Sequence, residues 1–248
     1  MRDMGKFNGA VAILIIINII FFIITFAIPG MENPMFEAFA LYFPKNEHFG
    51  VWQFVTNMFM HGGYAHILFN MYALWAFGSP LEEMWGKSKF LFFYFVSGIG
   101  ASIIYTLVNY YQFSNIYNEL IATGISADDI QHLLETRNYN QSLFSGITEE
   151  KLRTLFSLYS VPAVGASGAI YGVLVAFGIL FPNAKLALIF LPVPIAAKYF
   201  IPILIGLDLF SGVTGISIFG GGVAHFAHVG GAIIGFLLMW YWRKKGYH

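Results

Sequence analysis

The sequence predicts an all-α, polytopic membrane protein built from six transmembrane helices. Three observations carry that expectation. Hydrophobic residues make up 58% of the 248-residue chain and charged residues only 10%, against roughly 45–50% and about 25% in soluble domains, so too little polar surface exists to cover a globule. The mean hydropathy is +0.68, with 27 Phe. The apolar residues also gather into stretches close to the roughly 20 residues that cross a bilayer. This composition excludes disorder, collagen and coiled coil. A net charge of +0 argues against nucleic-acid binding, which needs a basic footprint. The absence of cysteine removes disulfides, thiolate metal sites and a cysteine nucleophile.

The chain, residues 1–248, is read as a single membrane domain. Span 1 is Ala10 to Ile28, closed by Pro29 and Gly30; it is longer than the roughly 7–15 apolar residues of a secretory signal and lacks a small-residue cleavage site. Residues 31–60 are mixed and aromatic, too interrupted to cross, and are expected as an outer loop at the interface. Span 2 runs from Tyr64 to Gly78, a charged turn with Glu82, Glu83, Lys87 and Lys89 follows, and span 3 runs from Phe90 to Tyr110. Residues 113–160 are too polar for hydrocarbon and are expected as an extramembrane insertion. Within it Ser126 and Asp129 have the spacing of a capping box, and Thr148 precedes a second helix. Leu152, Leu155, Phe156 and Tyr159 share one face of that helix, which suggests an amphipathic helix lying on the interface. Span 4 covers Ala163 to Phe181. Residues 182–197, with Pro182, Pro192 and Pro194, are expected as a loop, before span 5 from Lys198 to Phe210 and span 6 from Ala224 to Trp242. A longer fifth span starting near Leu186 would carry two prolines and Lys198 in its interior, at a cost.

Six spans put both termini on one side. Arg2, Lys6, Lys87, Lys89, Lys185, Lys198, Arg243, Lys244 and Lys245 fall there, while Lys45, Arg137, Lys151 and Arg153 fall on the other. The positive-inside rule makes the termini cytoplasmic and the insertion extracytoplasmic.

Polar residues inside apolar spans are costly and mark function by default. Three clusters stand out. His66 and Asn70 are four apart on span 2, Ser167 lies between Gly165 and Gly168 with Tyr171 one turn on, and His225 and His228 open span 6. Serine, histidine and asparagine together suit acyl transfer, in which a base takes the serine proton and preorganised donors hold the oxyanion. Gly168 with Gly172 and Gly231 with Gly235 are Gly-x-x-x-Gly pairs, which let two helix backbones meet. Each residue also has a plain structural use. Ser and Gly are ordinary packing residues in a span, Asn70 can join helices, and Tyr171 can simply pack. His61, His66, His225 and His228 also offer metal-ligand nitrogens, but no Asp or Glu is expected near them to complete a set. Asp208, near the outer end of span 5, is open to two readings, a third triad member or an interfacial polar residue, and the second is preferred.

Taken together, these motifs resemble the rhomboid family of intramembrane serine proteases. The likeness runs from Trp52 onward through His66-x-x-x-Asn70, Gly165-x-Ser167-Gly168 with Tyr171, and Ala227-His228-x-x-Gly231-x-x-x-Gly235. It implies a rhomboid-like fold and a Ser167–His228 dyad without a carboxylate. It implies an oxyanion hole from His66, Asn70 and the Ser167 backbone, with Tyr171 on the imidazole and Gly231 and Gly235 closing span 6 on span 4. Glu82 matches a structural acid, and His61 a position outside the chemistry. The implied partners are transmembrane protein substrates and the lipid bilayer, with no metal or organic cofactor, in a bacterial inner membrane. A non-catalytic relative that binds membrane clients is the alternative. The chain departs from the family in having Trp52-Gln53 where Trp-Arg is frequent, so the arginine's anchoring of the outer loop is expected to be missing. The insertion lies outside the minimal core and is read as a candidate substrate-selecting element.

Overall fold

The computed structural model describes residues 9–140, 142–188, 191–216 and 224–246, which leaves Arg2 and Lys6 outside it. The first helix, α1 (Ala10–Ala27), places Ile13, Ile16, Ile20 and Ile23 on an exposed stripe at helical spacing. Such a stripe is a liability in water and natural against lipid. Its first turn is capped from a distance: Glu82 accepts hydrogen bonds from the backbone N–H groups of Ala10 (2.5 Å) and Val11 (2.9 Å). A carboxylate there satisfies two orphan donors and opposes the positive end of the helix dipole.

Residues 31–60 are not a plain loop. They contain α2 (Glu32–Phe39), α3 (Gln53–Thr56) and a 3₁₀ turn over Asn57–Phe59. Helices this short have little stability of their own, so side chains tie them down. Gln53, fully buried, donates to the carbonyls of Glu37 (3.1 Å) and His48 (2.7 Å) and accepts from the N–H of Tyr42 (3.2 Å). A neutral amide thus anchors the loop at the position where the arginine is missing. Trp52 adds a bond from its indole N–H to the carbonyl of Ala38.

Span 2 is longer than expected. Helix α4 (Tyr64–Ala73) passes through a π turn at Leu74–Gly78 into α5 (Ser79–Trp85), which carries Glu82 back to α1. Gly86, at φ +79°, breaks the path before α6 (Lys87–Ala122). That 36-residue helix rises about 54 Å against roughly 30 Å of hydrocarbon. The insertion is thus founded on a continuation of span 3, and no helix break occurs at residue 113.

On that projecting end sit α7 (Ala127–Thr136) and α8 (Glu149–Ser160), capped by Ser126 and Thr148 as expected. Leu152, Leu155 and Tyr159 bury themselves against Ile130, Leu133, Leu134, Phe113 and Leu120. The apolar face of α8 therefore covers protein rather than membrane, because two amphipathic helices and the end of α6 close a second core. Asn46 and Tyr159 join this core to the outer loop.

Helix α9 (Ser167–Leu180) is the centre of the fold, with every residue from Gly168 to Phe177 buried. A helix apolar all round belongs inside a bundle, and α6 and α11 (His225–Lys244) enclose it. Residues 163–166 do not join it. Within the stretch expected as loop, β1 (Lys185–Leu188) pairs antiparallel with β2 (Leu191–Ala196). Helix α10 (Ala197–Thr214), with Pro202 in its interior, follows directly and packs on α11. Among the described residues three helices, α1, α6 and α10, are by length and composition able to cross a membrane alone; with α4–α5, α9 and α11 they make a polytopic all-α membrane fold.

Replacing Glu82 by Ala is expected to destabilise the protein by about 1–2 kcal/mol, read as a lower Tm in detergent micelles, with Glu83→Ala near wild type.

Candidate active site

The chain enters the site as an extended segment. Leu41 and Ala163 form an antiparallel bridge (2.9 and 2.8 Å), and the N–H of Gly165 donates to the carbonyl of Asn57 at 2.9 Å. Gly165 then adopts φ +126°, and a Cβ there would lie 2.8 Å from His66 Nε2. Only glycine meets both demands. The turn it allows starts α9 at Ser167, below the outer end expected for span 4 at Ala163. The 14 residues of α9 rise about 21 Å, less than the roughly 30 Å of hydrocarbon, so the serine sits at a recessed helix N-terminus.

Ser167 meets His228 across the α9–α11 contact, with Oγ 2.8 Å from Nε2. Tyr171, one turn on from Ser167, stacks on the imidazole with ring centroids 4.3 Å apart and planes within 12°. The helices come this close because glycines face each other. A Cβ on Gly231 would occupy the carbonyl of Gly168, and one on Gly235 would lie 2.6 Å from the Cα of Gly172. Gly168 and Gly172 in turn have Ala101 and Ser97 of α6 against their other sides.

His66 and Asn70 share a face of α4. The N–H of Gly62 points at His66 Nδ1 (3.4 Å), which leaves Nε2 as the donor nitrogen, turned toward Gly165 and Ser167. Asn70 is buried and spends one amide hydrogen on the carbonyl of His66. His61 packs edge-on against His66, with ring centroids 5.0 Å apart. Among the described residues no group of three or more His, Asp or Glu is arranged to hold a metal ion.

His225 does not contact Ser167; its Nδ1 lies 2.6 Å from Asp208 Oδ1, and it is at Asp208 that two expectations change. Asp208 is no interfacial residue, and a carboxylate does stand beside these histidines. It has 0% exposure; the same Oδ1 lies 3.1 Å from His228 Nδ1, and Oδ2 accepts from the Tyr171 hydroxyl. The signal was present in the sequence as a carboxylate inside a span, but its place 20 residues before His228 did not say which way it faced.

A small cavity of about 20 Å³ adjoins Ser167, lined by Met58, Gly98, Ala101 and Gly168 with Asn57 and Ser102. Asn57 donates its amide to Ser102 Oγ at 3.2 Å, so the polar lining is held in place.

A model of the rhomboid domain matches residues 48–128 and 136–245. The mitochondrial rhomboid protein 1 of Saccharomyces cerevisiae is 30% identical over 190 residues, which cover 77% of this chain and 41% of the yeast protein. The rhomboid protease AarA of Providencia stuartii is 28% identical over 259 residues, 96% of this chain and 75% of its own. The mitochondrial presenilin-associated rhomboid-like protein A of Danio rerio is 29% identical over 200 residues, 77% of this chain and 39% of its own. The chain thus spans about two fifths of each mitochondrial relative.

Gly231→Val is expected to force α11 off α9. Overpacking of this kind costs roughly 1–3 kcal/mol or more, read as a Tm drop of several degrees that Gly206→Ala, in open space on the helical backbone of α10, does not produce.

Proposed function

The chain belongs to the rhomboid family, and from that premise we propose that it is an intramembrane serine protease acting on transmembrane protein substrates. The observation that carries the reading is the 2.8 Å contact between Ser167 Oγ and His228 Nε2 at the recessed start of α9. His228 takes the proton as Ser167 attacks the scissile carbonyl. The oxyanion is held by the Nε2–H of His66, the free amide hydrogen of Asn70 and the backbone N–H of Ser167, which as a first-turn donor has no partner within its own helix. His228 then protonates the leaving amine, and water completes hydrolysis of the acyl-enzyme. No step needs a metal or organic cofactor.

The small cavity beside Ser167 supports a preference for a small side chain at the cut, because Gly98, Ala101 and Gly168 leave it about 20 Å³. The distribution of basic residues supports cytoplasmic termini with Ser167 opening to the far side, and the likeness to a bacterial relative over 96% of this chain supports a bacterial inner membrane. The second core of α7 and α8, bonded to the outer loop through Asn46 and Tyr159, is suited to select substrates there. Cleavage that is unchanged after its removal from a folded protein would exclude that role.

In proteoliposomes with a model membrane substrate, Ser167→Ala and His228→Ala are each expected to lower cleavage at least about 10³-fold. Labelling of Ser167 by a fluorophosphonate should disappear with the first. Asn70→Ala and His66→Ala should each lower kcat by about 10²–10³-fold. If both dyad variants cut like wild type, the protease reading fails and client binding without cleavage takes its place. A substrate with Ala at the scissile position should be cut about tenfold or more faster than one with Phe, measured as kcat/KM.

A further inference from the structure

We propose that Asp208 completes a triad with His228 and Ser167, acting as the positioning residue that fixes the imidazole and stabilises its charged form. The proposal rests on the protease reading and deepens it.

Asp208 lies on α10 with 0% exposure, inside a span. A carboxylate in that setting is expensive unless its oxygens are all engaged. Its three partners are hydrogen-bond donors that belong to the site: the Tyr171 hydroxyl on Oδ2, and the Nδ1 atoms of His225 and His228 on Oδ1. A carboxylate accepts and does not donate, so both Nδ1 atoms carry hydrogen. For His228 this leaves Nε2 with its lone pair toward Ser167 Oγ, the tautomer that a general base requires. Without an acceptor on Nδ1 the proton is free to move to Nε2, and the ring then donates to the serine it should deprotonate.

Orientation follows from the same three residues. Tyr171 covers the face of the imidazole while its hydroxyl holds Asp208, and Asp208 holds the edge of that imidazole. The ring can neither tilt nor rotate without breaking one of these contacts. His225, one turn before His228, anchors the shared oxygen from its other side and does not contact the nucleophile.

The charge changes agree. When Ser167 Oγ bonds to the carbonyl carbon, its proton passes to His228 Nε2 and the carbonyl π pair moves to oxygen. The imidazolium so formed lies 3.1 Å from an existing negative charge. When the C–N bond breaks, the proton leaves with the amine. Asp208 gains and loses none. Among the described residues, the ionisable groups about His228 besides Asp208 are Tyr171 on α9, His66 on α4 and His225 on its own helix, so Asp208 is the anion of the set.

The test uses the full chain in liposomes. Asp208→Asn should lower kcat by about 10²–10⁴-fold with KM unchanged, and should slow fluorophosphonate labelling of Ser167 to the same degree. A purely structural carboxylate would move Tm and KM instead. If Asp208→Asn labels Ser167 at the wild-type rate while His228→Ala does not, the triad is overturned and the dyad stands. If wild type neither labels at Ser167 nor cuts, both readings fall. Should Asp208→Asn not fold, nitrogen-15 spectra of wild type decide the matter. A protonated Nδ1 with a bare Nε2 on His228 is expected, and the reverse tautomer overturns the proposal.

Discussion

Gly231 meets the carbonyl of Gly168 with no side chain between them, and the rest of the structure depends on that approach. Two helices carrying Ser167 and His228 must bring backbone to backbone for a serine and a histidine side chain to reach hydrogen-bond distance. The requirement propagates outward. Gly168 and Gly172 have α11 on one side and Ala101 and Ser97 of α6 on the other, so α9 is squeezed between two neighbours along its first turns. Dispersion between closely packed backbones replaces the hydrophobic effect, which does nothing between helices already in lipid.

That tight centre is also where the polar groups are kept. Around Asp208, which is fully buried, Tyr171, His225, His228 and Ser167 satisfy one another in a chain that begins at a carboxylate and ends at a hydroxyl. A partly satisfied network would be worse than an apolar core, so its members have little freedom to change singly. Packing and chemistry share atoms here. Tyr171 is at once a packing ring, a hydrogen-bond donor and the cover of the imidazole.

Outside this centre the structure is held by long-range tethers. Glu82 caps α1 across more than seventy residues of chain. Gln53 binds three backbone groups of the outer loop. The bridge between Leu41 and Ala163 ties that loop to the segment that delivers Ser167. The outer loop, the second core and the nucleophile are therefore mechanically connected, through Asn46 and Tyr159 on one side and Asn57 and Gly165 on the other.

The sequence alone determined the solvent, the number of crossing elements and the pairs of glycines, since each follows from composition or from helical spacing along one stretch of chain. It also made His66, Asn70, Ser167, Tyr171 and His228 visible, because polar residues are sparse in apolar spans. Tertiary structure decided what depends on the facing of one helix toward another. Asp208 looked like an interfacial residue because a carboxylate near a span end has water within reach on one face and the bundle on the other, and spacing does not choose between them. The apolar face of α8 matched a membrane or a protein partner equally well, and the projecting end of α6 settled it. Residues 185–196 looked like a loop because antiparallel pairing depends on a partner strand, not on the prolines that punctuate it. The recess of Ser167 came from Gly165, whose positive φ ends an extended segment where apolar content alone continued the span.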